Sequence, residues 1–429
     1  MSGDRLAHHA WRYRWVVLAV ATFTQAASGF FVQGIAAMSA HLQHDLNIGT
    51  TQLGLLLSAA QLLPLVGLPV AGGLLDRHDE RWVVGAGATV VALSLAAGST
   101  APGYTFLLVV LLIAGAGYST VQPGGSKSVA SWFHTSRRGL AMGVRQAGLP
   151  LGGVLAAATL PGLATALGLR ATLMTGALVA LAGALAFMCL YRRPPAQGPF
   201  PGPAPAGPAS AGTTPVGPAP AGPASAGTES RLPLTSRFGA RLRTLREPPM
   251  ARIVLSGTAM VSVHSGIGVL TVLHLREVTS LGAGPTALVF VAVQTAGAAG
   301  RVCLAAWSDR GRPGRHTCVL ICMIAATAGM IALTTPLGHS PATACPLFVW
   351  LGFFGIGWYG PWVTHAAESA PPGRTGTTLG LAMAVNQIAI IVAPPALGLL
   401  KDLTGSFVPA WGLLSVMTAT TLTITARRP

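Results

Sequence analysis

Twelve stretches of predominantly apolar residues, each long enough to cross a bilayer, leave this chain very few folds to choose from. The hydrocarbon core is about 30 Å thick and a helix rises 1.5 Å per residue, so about 20 apolar residues suffice for one crossing. The first six stretches cover 15–38, 52–75, 82–100, 104–131, 139–164 and 169–191. The second six cover 251–275, 282–307, 316–336, 344–369, 376–400 and 405–426. They are too long, and alternate too little, for strands of a spanning β-barrel. The expected fold is therefore an all-α integral membrane protein of twelve transmembrane helices, called spans 1 to 12 below. Span 1 is followed directly by eleven others, so it reads as a retained helix and not as a cleaved signal. Composition agrees. Charged residues make up 9% of the chain, against about 25% in ordinary soluble domains, which is too few to cover a soluble surface.

A net charge of +16 would suggest nucleic acid in a soluble protein. Here the placement of the charge argues for a membrane. With the N-terminus in the cytoplasm, most of the 27 basic residues fall on the cytoplasmic side, among them Arg5, Arg12, Arg14, Arg77, Arg81, Arg137, Arg138, Arg310, Arg312, Arg315 and Arg374. Only Arg170, Arg276 and Lys401 fall opposite. This asymmetry follows the positive-inside rule and implies a multi-pass protein of the plasma (inner) membrane with both termini cytoplasmic. No GxxxxGK[ST] phosphate loop occurs, which argues against ATP drive. All five cysteines sit in apolar segments and read as small buried hydrophobes. Cys318 and Cys322 share a helix face, yet no His or carboxylate completes a metal set, so neither a metal nor a cofactor is expected.

Between residues 194 and 246 the composition changes abruptly. GPAPAGPASAGT occurs twice, at 202–213 and 217–228, and such a segment buries too little apolar surface to fold. It reads as a cytoplasmic tether between an N-terminal half (1–193) and a C-terminal half (247–429), each of six spans. The basic stretch from Arg231 to Arg246 either lies along the anionic lipid surface or simply retains topology.

The halves repeat one another. Gly72-Gly73-Leu74-Leu75-Asp76-Arg77 and then Arg81 follow span 2, while Ala305-Ala306-Trp307-Ser308-Asp309-Arg310 follows span 8. Span 5 carries Gly139-Leu140-Ala141-Met142-Gly143-Val144-Arg145-Gln146, and span 11 carries Gly380-Leu381-Ala382-Met383-Ala384-Val385-Asn386-Gln387. The offsets are 233 and 241 residues. Asp76-Arg77 in a short loop, echoed by Asp309-Arg310, resembles the signature loop of the major facilitator superfamily, and the resemblance covers the chain outside the tether. Asp79 and Glu80 depart from it, standing where a glycine and a basic residue are common. Gly148-Leu149-Pro150-Leu151-Gly152-Gly153 is similar to an interrupted form of the motif of drug/proton antiporters. The resemblance implies two halves rocking about a central site. Asp76 and Asp309, at helix ends, are suited to cap helix N-termini and pair with arginine across the halves, so Asp76, Arg77, Arg81, Asp309, Arg310, Glu368 and Arg374 form the expected gate.

Charge at bilayer depth is the best pointer to cargo, because it costs at least ~2.5 kcal/mol on insertion scales. All eleven acids fall in loops or at helix ends, so a counter-charge for a cationic drug is missing. Arg301 lies eight residues before Asp309, ~12 Å inside span 8, and Arg145 lies at a similar depth in span 5. Either the two clamp one anion through guanidinium forks, or they are satisfied by backbone carbonyls or snorkel outwards. An arginine on span 8 at this spacing resembles monocarboxylate and oxalate porters, where it binds the substrate carboxylate. His264, about 18 Å along span 7, is the candidate for a coupling proton; the alternative is a hydrogen-bonded packing histidine. Lys127, near the end of span 4, reads as a snorkelling lysine. Trp358, Tyr359 and Trp362 on span 10, Gln25, Tyr118 and Gln122 on spans 1 and 4, and Gln146, Asn386 and Gln387 complete the expected lining.

The expected function is a secondary carrier, not an enzyme, with the lipid bilayer and a small-molecule substrate as partners and no nucleic acid. It would move a small organic anion such as a monocarboxylate, as a monomer coupled to a proton or a counter-anion. A drug or secondary-metabolite efflux carrier is the alternative within transporters. A transport-dead sensor would call for a signalling domain that neither short terminus offers.

Overall fold

The computed structural model describes residues 2–100, 103–194, 247–310 and 314–426. The tether, apart from residue 194, and Arg312 lie outside the described residues. Among the described residues every regular element is helical. Span 1 is Ser2–Gly34, span 3 Glu80–Thr100, span 4 Tyr104–Trp132, span 7 Pro248–Glu277, span 8 Ala283–Ser308, span 9 Arg315–Leu333, span 11 Thr375–Thr404 and span 12 Val408–Ala426.

Spans 5 and 6 form one continuous helical stretch, Thr135–Leu190, of 56 residues. At 1.5 Å per residue that is ~84 Å, far more than one bilayer. Its only break is Gly168, at φ 77° and ψ 174°, a conformation essentially restricted to glycine. The chain reverses there. Thr135 accepts a hydrogen bond from Arg315, and Leu190 accepts one from Tyr13, so both ends of the stretch lie at the face that carries the start of span 1 and the 76–80 loop. With this turn the spanning segments among the described residues number twelve. That basic-rich face is called the terminus face below.

Two spans are interrupted at prolines and glycines. Span 2 is Thr50–Leu62 continued by Pro64–Arg77. Span 10 is Pro341–Leu351 and Tyr359–Glu368, joined through a π-helical turn, Gly352–Ile356. Sequence patterning gives each as one span, with the glycines and Pro361 of span 10 permitting a bend. A short helix, Ser39–Leu46, between spans 1 and 2 was not anticipated.

Close packing between the halves needs positions without a Cβ. A Cβ on Gly143 of span 5 would stand 2.3 Å from the Arg301 carbonyl oxygen of span 8, and one on Gly380 of span 11 would stand 2.4 Å from the Leu68 carbonyl oxygen of span 2. The repeat therefore builds two equivalent seams, 5 against 8 and 2 against 11. Gly143→Val is expected to wedge the 5–8 seam apart and deplete the conformation seen here. Faster alkylation of a cysteine placed at the terminus end of that seam would register the change; an unaltered rate would refute it.

Candidate functional site

At the terminus face each seam is clamped by a carboxylate. Asp76 at the end of span 2 accepts hydrogen bonds from the Gly376 and Thr377 amides, 2.8 and 2.7 Å, at the start of span 11. Asp309 after span 8 accepts from the Gly139 and Leu140 amides, 2.8 and 2.7 Å, at the start of span 5. The first amides of a helix have no partner within it, and the helix dipole favours an anion there. Each aspartate thus caps a helix of the opposite half.

Cations complete the clamps. Arg315 lies 2.5 Å from Asp309 and 3.4 Å from Glu368, donating also to the Ser308 hydroxyl and the Thr135 carbonyl. Arg138 joins Glu368 at 3.6 Å. Lys127 stands 3.6 Å from Asp76 and 2.9 Å from Glu80, and donates to the Leu75 carbonyl. It is held within this network and does not snorkel freely. The two unusual acids of the loop have partners: Arg193 pairs with Asp79 at 3.0 Å, while Glu80 takes Lys127 and the Tyr191 hydroxyl.

Three arginines expected in the gate lie elsewhere. Arg81 donates to the Met188 carbonyl of span 6 and stacks on Trp82. Arg77 and Arg310 are exposed, and none of the three makes a hydrogen bond or ion pair across the halves among the described residues. The reason is geometric: Arg77 and Arg310 directly follow their aspartates and stand exposed, while Arg81 is on the first turn of span 3 and is held by span 6 of its own half. Arg374 is the residue before span 11, at its N-cap. The missed residues Lys127, Arg138 and Arg315 do the pairing. A signal existed for one of them, because Lys127 and Glu368 are separated by the same 241 residues as the span 5 and span 11 motifs.

Behind the clamps lies a cavity of about 290 Å³ lined from both halves. Its polar lining includes Gln61, Tyr118, Ser119 and Gln122 from the first half, and His264, Ser265, Gln294, Arg301, Tyr359, Asn386 and Gln387 from the second. Gln61 and Gln294, both missed, are related by the 233-residue offset that relates Asp76 to Asp309. Arg301 is the one permanent cation among these residues, and no carboxylate is among them. It is 3% exposed. Its Nη1 donates to the Gln146 carbonyl of span 5 at 2.8 Å, its Nε to the Ile356 carbonyl of the π-helical turn at 3.3 Å, and its guanidinium lies 5.5 Å from the Tyr359 ring centroid. Among the described residues Nη2 has no hydrogen-bond partner.

Both seams are also crossed at this level by a side chain reaching a backbone carbonyl. Gln387 donates to the carbonyl and the side-chain oxygen of Gln61, 3.0 Å each, as Arg301 does to Gln146. The Gln146 carbonyl lies four residues before Pro150, which has no amide hydrogen to offer it, and the Gln61 carbonyl lies in the last turn of Thr50–Leu62, where the backbone ladder ends.

Several expected lining residues are not at the cavity. Arg145 is fully buried within the first half, donating to the Ser126 hydroxyl (2.8 Å), the Gln25 side-chain oxygen (2.5 Å) and the Val121 carbonyl (2.8 Å). Both terminal nitrogens are engaged within the first half and the side chain does not line the cavity, so it is not a second arm of a clamp with Arg301; its Nε has no partner among the described residues. Gln25 is spent on Arg145 and on the Tyr118 hydroxyl. Gln146 contributes its carbonyl to Arg301, while its side chain is buried away from the cavity. Trp358 and Trp362 are core residues: they are 0% and 1% exposed, and Trp362 donates to the Ile253 carbonyl against Gly257. The bend at the π-helical turn brings Tyr359, alone of the three aromatics, to the cavity.

Long apolar helices, glycine seams, capping carboxylates and a polar chamber lined by residues from both parts of the chain are the architecture of a membrane transporter. The sequence profile of the Major Facilitator Superfamily matches residues 18–394. The chain belongs to that superfamily. An uncharacterised transporter of this type from Mycobacterium tuberculosis is 25% identical over 414 residues, covering 94% of this chain and 82% of that protein. The galacturonate transporter of Dickeya chrysanthemi is 29% identical over 185 residues, 43% of this chain and 53% of that one. In fold, the chain is similar to the human organic anion transporter MFSD10, with a TM-score of 0.73 at 16% identity over 97% of this chain and 99% of that one.

Proposed function

We propose that this chain is a secondary carrier that moves an organic anion across the inner membrane by alternating access, with both termini in the cytoplasm. The observation that carries the reading is Arg301: a buried guanidinium lining the inter-half cavity, with one terminal nitrogen unpaired and no carboxylate to neutralise it among the described residues. A buried cation without a counter-charge favours an anionic ligand, and the guanidinium fork matches a carboxylate.

The rest of the lining favours a hydroxylated acid over a bare monocarboxylate. Gln61, Gln122, Gln294, Asn386 and Gln387 supply both donors and acceptors, which suits hydroxyl groups. Both amide atoms of Asn386 lack a partner among the described residues although the residue is 2% exposed. The galacturonate transporter among its relatives supports the same class, an acid of sugar type. With the termini cytoplasmic, the clamped face is the cytoplasmic one, and the gate is Asp76 and Asp309 with Lys127, Arg138, Arg315 and Glu368. His264, on the cavity wall, is the residue we assign to the coupling proton.

The test is uptake into proteoliposomes of labelled hexuronate, aldonate, lactate, a neutral hexose and a cationic dye. Saturable uptake of a hydroxylated acid, accelerated by a proton gradient, is expected. His264→Gln should abolish the response to the gradient yet preserve exchange of labelled for unlabelled acid. Movement of the hexose or the dye without any acid would overturn the reading.

A further inference from the structure

We infer that Pro150 is a positioning residue for transport: it leaves the Gln146 carbonyl free to hold Arg301 across the 5–8 seam, and a substrate anion takes over that guanidinium when the seam opens. The inference rests on Arg301 as the anion anchor.

In an α-helix the carbonyl of residue 146 would accept from the amide of residue 150. Residue 150 is a proline and has no amide hydrogen. A buried carbonyl without a donor is costly, so this one is a ready acceptor for a side chain of another helix. Arg301 fills it, with Nη1 at 2.8 Å. The geometry is local and specific: Gly143, one turn earlier on span 5, already brings the two helices to backbone contact at the Arg301 carbonyl.

The consequence concerns the unloaded carrier. Gln146 belongs to the first half and Arg301 to the second, so rocking of the halves separates them. Without cargo, that separation costs a buried guanidinium its best acceptor, leaving the Ile356 carbonyl at 3.3 Å and the Tyr359 ring. With a carboxylate in the cavity, the lost acceptor is replaced. The loaded carrier therefore leaves the clamped state more readily than the empty one, and Pro150 contributes to that difference from a position that does not line the cavity.

Pro150→Ala restores an amide at 150, returns the Gln146 carbonyl to its own helix and frees Arg301. A second variant, Leu149→Pro with Pro150→Leu, keeps a proline bend in span 5 but shifts the freed carbonyl to residue 145. Two readouts apply. The first is the inter-half distance between spin labels at exposed Arg77 and Arg310 in unloaded protein, with the native cysteines replaced. The second is the ratio of net uptake to exchange in proteoliposomes. Both variants should raise the unclamped fraction about tenfold, the scale of one charged hydrogen bond, and raise net uptake relative to exchange. A merely structural proline would depress uptake and exchange together. Wild-type behaviour of the double variant would assign the effect to the bend and overturn the inference, as would wild-type distances in both. Should the distances shift while no acid is carried, the link between Pro150 and Arg301 stands and the anion reading is what fails.

Discussion

Arg301→Ala is expected to raise the KM for a carboxylate substrate by about 10- to 150-fold, the factor that corresponds to a charged hydrogen bond of about 1.5–3 kcal/mol. Arg301→Lys should recover little of this, because a single ammonium cannot reach the Gln146 carbonyl, the Ile356 carbonyl and a substrate carboxylate together as the planar fork does. Neither variant should fail to insert, since alanine removes a charge from bilayer depth and lysine adds none. Arg145→Ala provides the contrast. Arg145 is fully buried and serves Ser126, Gln25 and Val121 within one half, so its loss strands three polar groups and should lower thermal stability. Uptake kinetics and melting of the two alanine variants in parallel check both halves of this expectation. A KM unaltered in Arg301→Ala would remove the anion anchor from the mechanism.

The comparison of these two arginines shows where sequence reasoning reaches its limit. Depth is legible: eight residues from a loop aspartate or arginine puts either side chain ~12 Å inside the bundle. The direction a side chain takes around its helix is not, because it depends on how the helices pack. Arg145 turns into its own half and Arg301 turns to the seam. Trp358, Tyr359 and Trp362 illustrate the same limit within one span, since the π-helical turn at Gly352–Ile356 redistributes their facing and local sequence gives only a propensity to bend. The twelve spans were legible because the bilayer imposes length and polarity on each separately. The repeat was legible because it is written in residues. Applied further, its two offsets also pair Gln61 with Gln294 and Lys127 with Glu368, placing a missed lining pair and a missed gate cation.

Asp76→Asn and Asp309→Asn are each expected to depopulate the clamped state by about 10- to 150-fold, and the double substitution by about the product of the two. Each carboxylate holds two helix-start amides of the opposite half at 2.7–2.8 Å. An asparagine keeps one acceptor but turns an NH₂ group towards an amide donor, so about 1.5–3 kcal/mol is lost per clamp. The effects should multiply because the clamps sit on different seams and share no amide. They should also be unequal. Asp309 has Arg315 at 2.5 Å, whereas the cation beside Asp76 is Lys127 at 3.6 Å and is held more closely by Glu80 at 2.9 Å. Neutralising Asp309 therefore leaves a nearly buried guanidinium leaning on Glu368, and Asp309→Asn should be the more damaging of the two. Both should slow turnover more than they weaken substrate binding, because neither residue lines the cavity. Alkylation rates of a cysteine at the terminus end of each seam, read beside the maximal uptake rate, make the measurement. If the double variant exposes either cysteine no faster than the matching single variant, the seams open separately, and the account in which both clamps hold one closed state is wrong.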